Sequence, residues 1–224
     1  MRISGSEPVA DNLPPRPETD CLRSGPERAD RRLLLLHGWG ADADDLLELG
    51  RALVDPDVNV VALRAPQSHP AGIGRQWYPL LPEPAWEQLP AARTALLGRL
   101  ARLAREVPLE RTAVLGFSQG AAMAVDAVTG GGEGFPQGVP LAALVGCSGY
   151  PHPGWLPQRP RCPVLLTHGE QDEVVPVRAC GELARLLRQA GGSVEPLRFR
   201  GGHGIDPALL PRLRSFLAES WTAA

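Results

Sequence analysis

Residues 112–123, TAVLGFSQGAAM, decide the fold of this chain. The β-branched and apolar run 112–115 predicts a short buried strand, and the alanine-rich run 121–128 predicts a helix. Between them, residues 116–120 have the pattern G-x-S-x-G. In such a strand-to-helix turn the serine has a strained backbone that raises its hydroxyl above the sheet edge, and the glycines avoid collisions that a Cβ would make. The stretch therefore predicts a reactive serine, Ser118, although a glycine-rich turn with an incidental serine is the ordinary alternative.

Length and composition limit the classes of function. The chain has 224 residues, which suits one α/β domain, and its net charge of −2 gives no basis for binding nucleic acid or an acidic membrane surface. All basic residues are arginine, and the absence of lysine excludes Schiff-base and P-loop mechanisms.

The cysteines and the hydropathy pattern predict the compartment. The four cysteines are widely spaced with no C-x-x-C pair, so we expect buried apolar positions in a reducing compartment rather than disulfides or a metal site. No apolar run approaches the ~20 residues that span a bilayer, and the N-terminus lacks the apolar core of a signal peptide. A cytoplasmic protein without stable membrane insertion, metal or cofactor is predicted.

The N-terminal residues 1–32 are rich in Pro, Arg, Glu, Asp and Ser and contain few apolar side chains. Such a segment buries too little surface to offset the entropy lost on ordering. We therefore expect residues 1–32 to be a disordered or loosely docked extension and residues 33–224 to be the folded domain. Removal of residues 1–28 should then leave activity and melting temperature nearly unchanged.

Strand and helix patterns alternate along residues 33–224. Strands are predicted at 33–36, 58–63, 112–115, 141–145, 164–167 and 194–199, and helices at 41–54, 91–106, 121–128, 177–190 and 207–221. This alternation predicts a mostly parallel sheet with helices on both faces, in which ligands bind beyond the carboxyl ends of the strands. Residues 64–90 interrupt this alternation of strands and helices with prolines and aromatic side chains. Such a segment favours a lid or a substrate wall over a loop packed on itself.

A serine hydroxyl becomes a nucleophile when a base takes its proton and a third group holds the base. His203 is the candidate base, because it lies in a glycine-flanked loop after the last strand and is the one histidine that follows Asp172. The order nucleophile, acid, histidine is the one that this topology uses. The other histidines lie in proline-rich loops or precede a glycine at a strand end, where they more often brace a turn: His37, His69, His152 and His168.

Asp172 is the candidate acid, because it follows the strand 164–167 in a loop that faces the His203 loop. Its rivals are Glu170, Glu173 and Asp206, the last of which is better suited to cap the final helix. A tetrahedral intermediate also needs two donors for its oxygen. The N–H of Gln119, at the start of the helix after Ser118, and the N–H of Trp39, in the turn HGWG, are the candidates.

Several motifs together resemble the phospholipase/carboxylesterase family, small serine hydrolases that include the acyl-protein thioesterases. They are LLHGWG, APQ, WYPL, GFSQGAAM, HGEQDEVVP and GGHGI, in the family's order over about residues 33–217. The resemblance implies an α/β-hydrolase fold with a minimal cap, the triad Ser118, Asp172 and His203, and oxyanion donors at Trp39 and Gln119. It also implies that Trp77 lies near the acyl pocket. Ala41 departs from the family's usual acidic residue after H-G-x-G, and residues 1–32 have no counterpart in it.

The expected reaction is hydrolysis of a short to medium acyl ester through an acyl-serine intermediate. The partner is a small-molecule ester or thioester, and lysophospholipids are a further alternative. A catalytically inactive ligand-binding protein of the same fold is the main alternative, and a haloperoxidase or a C–C hydrolase would share the same triad.

Overall fold

The computed structural model describes residues 20–132 and 134–222. Its strands are β1 (Cys21–Ser24), β2 (Arg32–Leu36), β3 (Asn59–Leu63), β4 (Gln67–Ser68), β5 (Arg75–Gln76), β6 (Thr112–Phe117), β7 (Ala143–Cys147), β8 (Val164–Gly169) and β9 (Val194–Phe199). Its helices are α1 (Asp44–Leu53), α2 (Leu89–Leu103), α3 (Gln119–Thr129), α4 (Arg178–Gln189) and α5 (Leu210–Thr222).

Seven strands form one sheet in the order β1-β3-β2-β6-β7-β8-β9. All neighbours pair in parallel except β1, which runs antiparallel to β3 at the edge. The central strands are buried throughout, as expected for apolar runs covered on both faces. Parallel pairing brings the carboxyl ends of β2, β6, β8 and β9 to one edge, where the predicted site residues follow them.

Helices cover both faces of this sheet. Alternate residues of the strands point to opposite sides: Leu33 and Leu35 belong to one apolar cluster with α1 and α5, whereas Leu34 and Leu36 belong to a second cluster with α2, α3 and α4. Helix α3, which follows Ser118, is buried along its whole length. The predicted fold class, a mostly parallel sheet with helices on both faces, is confirmed.

The boundary of the folded domain differs from the predicted one. Strand β1 pairs with β3 from Cys21↔Leu63 to Ser24↔Val60, so the sheet begins before Leu33. The guanidinium of Arg23 donates to both carboxylate oxygens of Glu106 at 2.7 and 3.1 Å. Backbone pairing and an ion pair hold this edge strand, and of its four residues Cys21 and Leu22 pack, partly buried, against the apolar clusters. Two apolar residues in a polar segment leave too weak a hydropathy pattern to reveal a strand. The prediction of a disordered or loosely docked extension is therefore wrong for residues 20–32, and residues 1–19 lie outside the described residues.

The segment 64–90 contains more structure than predicted. It includes the β4–β5 hairpin and a 3₁₀ turn at Trp86–Gln88 that leads into α2. Trp77 and Tyr78 are buried in the apolar cluster that contains α2 and α3. The segment is thus packed on the domain as a wall.

Two further predictions concern membrane-spanning segments and the state of the cysteines. In residues 20–132 and 134–222, no helix is long and apolar enough to cross a bilayer. The four cysteines all lie in the described part and are free, and three of them are buried.

Candidate active site

Ser118 occupies the turn between β6 and α3 in a strained conformation. Its φ is 52° and its ψ is −119°, a region that residues other than glycine rarely adopt. The N–H of Ser118 donates to the carbonyl of Cys147 at 2.8 Å, which fixes the turn to the neighbouring strand. The serine is 8% exposed, and its hydroxyl faces a cavity at the sheet edge.

The glycines on either side of Ser118 permit this turn. A Cβ on Gly116 would lie 2.5 Å from the carbonyl oxygen of Gly120 and 2.6 Å from Cα of Ala121. A Cβ on Gly120 would collide with the carbonyls of Leu36 and His37 at the end of β2. A side chain at either position would therefore push α3 away from the sheet.

Three predicted site residues form one hydrogen-bonded line. Nε2 of His203 lies 2.9 Å from Oγ of Ser118, and Nδ1 of His203 lies 2.7 Å from Oδ2 of Asp172. With a neutral imidazole, the serine hydroxyl donates to Nε2 and the Nδ1–H group donates to the carboxylate. The loops after β6, β8 and β9 supply one side chain each. Such a line can carry a proton away from the serine hydroxyl while the carboxylate holds the imidazole in place.

The carboxylate of Asp172 is fully buried and saturated with donors. Its Oδ1 accepts hydrogen bonds from the N–H groups of Val174 and Val175 at 2.9 and 2.8 Å. Burial alone would raise the pKa of Asp172, but the hydrogen bonds from His203 and from these two N–H groups outweigh burial and hold the pKa below its ordinary value. Asp172 is therefore a stable acceptor for the imidazole.

The rival acids lie elsewhere. Glu170 and Glu173 are exposed, and the carboxylate of Asp206 accepts from the N–H of Ala208 at 2.8 Å, at the 3₁₀ turn before α5. The prediction that Asp206 caps the final helical segment agrees with this contact.

The turn HGWG lies directly against Ser118. A Cβ on Gly38 would be 3.3 Å from Cβ of Ser118. His37 braces the turn, because its Nδ1–H donates to the carbonyl of Gly38 at 2.8 Å and its Nε2 accepts from the N–H of Ala65 at 3.1 Å. Burial lowers the pKa of His37, which suits this neutral bracing role. In the described residues, no turn or loop backbone hydrogen bond uses the N–H of Trp39 or Gln119, so both groups are available beside the serine.

A cavity of about 410 Å³ adjoins the hydroxyl of Ser118. It is lined by Trp39, Leu80, Trp86, Ser118, Tyr150, Val174, Val175, Pro176, Ala179 and His203. Apart from Ser118, His203 and Tyr150, these side chains are aliphatic or indole groups. The cavity is therefore suited to an apolar group attached to the atom that the serine attacks.

Trp77, which the resemblance places near the acyl pocket as a substrate-binding residue, is not among the residues that line this cavity. Its side chain is 2% exposed, and its indole N–H donates to the carbonyl of His37 at 2.9 Å. The side chain of Gln119 bonds the N–H of Trp77 at 2.9 Å and the carbonyl of Tyr78 at 2.7 Å. Trp77 thus fastens the aromatic segment to the turn HGWG and to α3. Trp86, from the same segment, lines the cavity instead.

Three residues of the site region were missed by the sequence analysis. Tyr150 lines the cavity, and His152 and Asp126 lie behind it in a chain of hydrogen bonds. His152 lies in a proline-rich loop, and Asp126 faces inward from an alanine-rich helix. An acidic residue inside an otherwise apolar buried helix was the one available signal. In the described residues, no group of three or more potential metal ligands is gathered at one point.

The sheet order, the strand-to-helix turn at Ser118 and the helices on both faces define the class as the α/β-hydrolase fold. A family model described as phospholipase/carboxylesterase matches residues 19–221. The chain therefore belongs to the phospholipase/carboxylesterase family and is a carboxylic ester hydrolase.

Solved structures resemble it over nearly the whole chain. Esterase PE8 is 29% identical, with a TM-score of 0.76 over 89% of this chain and 96% of the esterase. A Bacillus cereus carboxylesterase is 20% identical, with a TM-score of 0.77 over 89% and 93%. A Mesorhizobium loti carboxylesterase is 22% identical, with a TM-score of 0.73 over 85% and 89%. The last two likenesses concern the fold alone. No curated protein matches the chain by sequence.

Proposed function

We propose that the protein cleaves esters of short to medium acyl chains through an acyl-serine intermediate. Ser118 is the nucleophile, His203 is the general base and acid, and Asp172 orients His203. The observation that carries this proposal is the line from Ser118 Oγ through His203 to Asp172, with contacts of 2.9 and 2.7 Å. Both distances are those of hydrogen bonds that are formed before substrate binds.

In the acylation step, Oγ of Ser118 attacks the ester carbonyl carbon while its proton moves to Nε2 of His203. The carbonyl oxygen becomes an oxyanion, to which the N–H groups of Trp39 and Gln119 donate. The bond to the alcohol oxygen then breaks, and His203 returns the proton to that oxygen. Water repeats the sequence on the acyl-serine and releases the acid.

The Asp172 carboxylate has two functions in this mechanism. It accepts the Nδ1–H bond, so that Nε2 faces Ser118 as an acceptor, and its charge offsets that of the imidazolium formed during attack. The N–H groups of Val174 and Val175 keep it fixed and charged.

The cavity supports an apolar acyl group of limited length. Its aliphatic and indole walls favour burial of methylene groups, each of which contributes about 0.8 kcal/mol while room remains. A thioester or a lysophospholipid would enter the same mechanism, because each presents a carbonyl carbon to Ser118. We infer a short or medium acyl chain rather than a long triglyceride, since the described residues contain no long amphipathic helix of the kind that opens as a lid at a lipid interface.

The alternative is a ligand-binding protein without catalysis. The hydrogen-bonded line from Ser118 through His203 to Asp172 argues against this alternative, because ligand binding alone gives no reason to keep all three side chains in this arrangement. We retain the prediction of a cytoplasmic protein, which the free and mostly buried cysteines favour.

A fluorophosphonate probe with mass spectrometry of the labelled peptide tests the proposal. We expect a covalent adduct on Ser118, formed quickly because the serine is activated, together with hydrolysis of p-nitrophenyl butyrate. An adduct on another serine, or no adduct in a folded protein, would contradict the mechanism. A preincubation with excess substrate is the control, since it should slow labelling at the same site.

A further inference from the structure

A chain of buried polar side chains lies behind the cavity and is separate from the line through Ser118. Oδ2 of Asp126 lies 2.6 Å from Nδ1 of His152, and Nε2 of His152 lies 2.9 Å from the hydroxyl of Tyr78. The hydroxyl of Tyr78 lies 2.6 Å from that of Tyr150. The chain thus runs from α3 to a tyrosine on the wall of the cavity.

Burying this chain is expensive unless every member is paired. Asp126 is 7% exposed, His152 is 5% exposed and Tyr78 is fully buried. Their hydrogen bonds satisfy one another, and Oδ1 of Asp126 accepts a further bond from the guanidinium of Arg93 at 3.0 Å. Apolar side chains would fill the same space without needing partners. A function of Tyr150, the residue at the cavity end, would explain why polar side chains are present instead.

The hydrogen bonds between these buried side chains all donate toward Asp126. Arginine only donates, so Asp126 accepts from Arg93 on one oxygen and from the Nδ1–H of His152 on the other. Arg93 already balances the charge of Asp126, and a neutral imidazole leaves the buried group without net charge. Nε2 of His152 is then an acceptor, so the hydroxyl of Tyr78 donates to it. The hydroxyl of Tyr150 must in turn donate to the oxygen of Tyr78.

The open end of the chain is therefore an acceptor. With its proton committed to Tyr78, the oxygen of Tyr150 keeps lone pairs that can accept a further hydrogen bond, and Tyr150 is one of the residues that line the cavity. Burial raises the pKa of Tyr150 to about 12 and raises that of Tyr78 further, so both hydroxyls keep their protons at neutral pH. The indole N–H of Trp39 is not free, because it donates to Oε1 of Gln76 at 2.9 Å. Tyr150 thus offers an acceptor among the aliphatic and indole side chains of the cavity wall, apart from Ser118 and His203 of the proposed catalytic line.

We propose that Tyr150 is a specificity-determining residue that accepts a hydrogen bond from the substrate, so that the preferred ester carries a hydroxyl on its acyl chain. Asp126, His152 and Tyr78 are positioning residues that set the direction of the Tyr150 hydroxyl. This proposal rests on the proposed ester hydrolysis and adds the substrate class. A hydroxyl donor matches Tyr150, whereas an ether oxygen at the same place would face lone pairs.

The test compares p-nitrophenyl butyrate with its 2- and 3-hydroxy and 2- and 3-methoxy derivatives. Each kcat/KM is divided by the rate of spontaneous hydrolysis, because an oxygen substituent activates the ester. With the wild-type protein, we expect one hydroxy ester to exceed its methoxy partner by about tenfold, since the methoxy group leaves a buried acceptor unpaired. Equal rates for both pairs would overturn the proposal.

Tyr150→Phe removes the acceptor, so we expect its hydroxy-to-methoxy ratio to fall to about 1, with neither ester favoured over butyrate. A Tyr150→Phe protein that keeps the wild-type ratio would overturn the proposal. Comparing two esters within one variant separates this effect from any general loss of packing.

Asp126→Asn reverses the chain. Arg93 must keep the amide oxygen, so the amide N–H₂ faces His152 and turns Nδ1 into an acceptor. Nε2 then carries the proton and donates to Tyr78, Tyr78 donates to Tyr150, and Tyr150 donates into the cavity. The methoxy ester should rise to the level of the hydroxy ester and exceed butyrate by about tenfold. A folded Asp126→Asn protein that still rejects the methoxy ester would contradict the assigned direction.

Different results would contradict the proposed ester hydrolysis and the proposed role of Tyr150. If Ser118→Ala hydrolyses the five esters as fast as the wild type, the proposed function fails, and the Tyr150 proposal fails with it. If hydrolysis depends on Ser118 but shows no preference between hydroxy and methoxy esters, only the Tyr150 proposal fails. The wild-type and Tyr150→Phe ratios decide the proposal even if Asp126→Asn does not fold.

Discussion

Nε2 of His168 lies 3.3 Å from Oδ2 of Asp172, the same oxygen that His203 contacts at 2.7 Å. Both side chains of this i, i+4 pair are buried. The Nε2–H group of His168 donates to the carbonyl of Val175 at 2.8 Å, while the N–H of Val175 donates to Asp172. His168 therefore closes the loop after β8 around the carboxylate. A histidine that braces a turn was predicted at this position, and the turn it braces is the one that holds Asp172.

His168→Leu should loosen that loop. It leaves the carbonyl of Val175 without its buried donor, so we expect a loss of about 1–3 kcal/mol in the free energy of unfolding and a lower kcat. His168→Gln is the matched control, because its amide N–H₂ can reach the position of Nε2. Urea unfolding and ester kinetics measure both effects. Equal stability of the Leu and Gln variants would show that the Val175 contact contributes nothing.

Ser118→Ala should reduce kcat by a factor of about 10³–10⁶ and leave the fold intact, because the nucleophile is lost while the oxyanion donors remain. Ser148→Ala is a close control. Ser148 also has a positive φ, of 51°, and its N–H donates to the carbonyl of Thr167 at 2.8 Å on the next strand. Circular dichroism and ester kinetics compare the two variants. A folded Ser118→Ala protein that keeps the wild-type kcat would show that Ser118 is not the nucleophile.

Asp172 should make stability depend on pH in the acid range. Its pKa in the folded protein lies below the ordinary value of 3.8, so its carboxylate stabilises the fold above that pH, and this contribution is lost as the pH falls toward the folded pKa. The free energy of unfolding of the wild type relative to Asp172→Asn should therefore decline below about pH 4. Urea unfolding at several pH values measures the difference, and Glu173→Gln in the same loop controls for loss of an exposed carboxyl. A difference that grows on acidification would reverse the sign assigned to Asp172.

Removal of residues 1–28 should destabilise the protein, contrary to the expectation from hydropathy. The truncation deletes β1, its ladder with β3, and the ion pair between Arg23 and Glu106. It also leaves the guanidinium of Arg32, which is buried and bonds Asn59 and Glu106, next to an open edge. We expect a loss of about 2–4 kcal/mol in the free energy of unfolding. A truncation of residues 1–18, which retains β1, is the control, and equal melting temperatures of the two proteins would contradict the prediction.

Local patterns predicted the parts of the site that single short segments define. Ser118 could be found because G-x-S-x-G between a strand and a helix has few other uses, and His203 and Asp172 could be found because each follows a strand in a glycine-bearing loop. Strand β1 was missed because edge pairing depends on backbone hydrogen bonds, which leave no hydropathy pattern.

The cavity wall was the harder part to predict. Trp77 and Trp86 lie in the same aromatic segment, and the path of its backbone decides which indole is buried and which faces the cavity. Tyr150, His152 and Asp126 meet across distant parts of the chain, so their contact could not be read from spacing. Hydrogen-bonded networks of buried side chains depend on the packing of several elements at once.

The acyl-length preference should follow the size of the cavity. Because its walls are mostly aliphatic and indole, kcat/KM of p-nitrophenyl esters should rise by about fourfold for each added CH₂ and then level off or fall when the cavity is full. Ala179 lies on α4 and lines the cavity, so Ala179→Leu should fill part of it and move the optimum to shorter acyl chains. Ala190, at the C-terminal end of the same helix, does not line the cavity, so Ala190→Leu is the matched control and should keep the wild-type optimum. An unchanged optimum in Ala179→Leu would mean that the acyl chain occupies another groove. In a separate measurement with a long-chain ester, a jump in activity above the critical micelle concentration would mean that the site opens at a lipid interface.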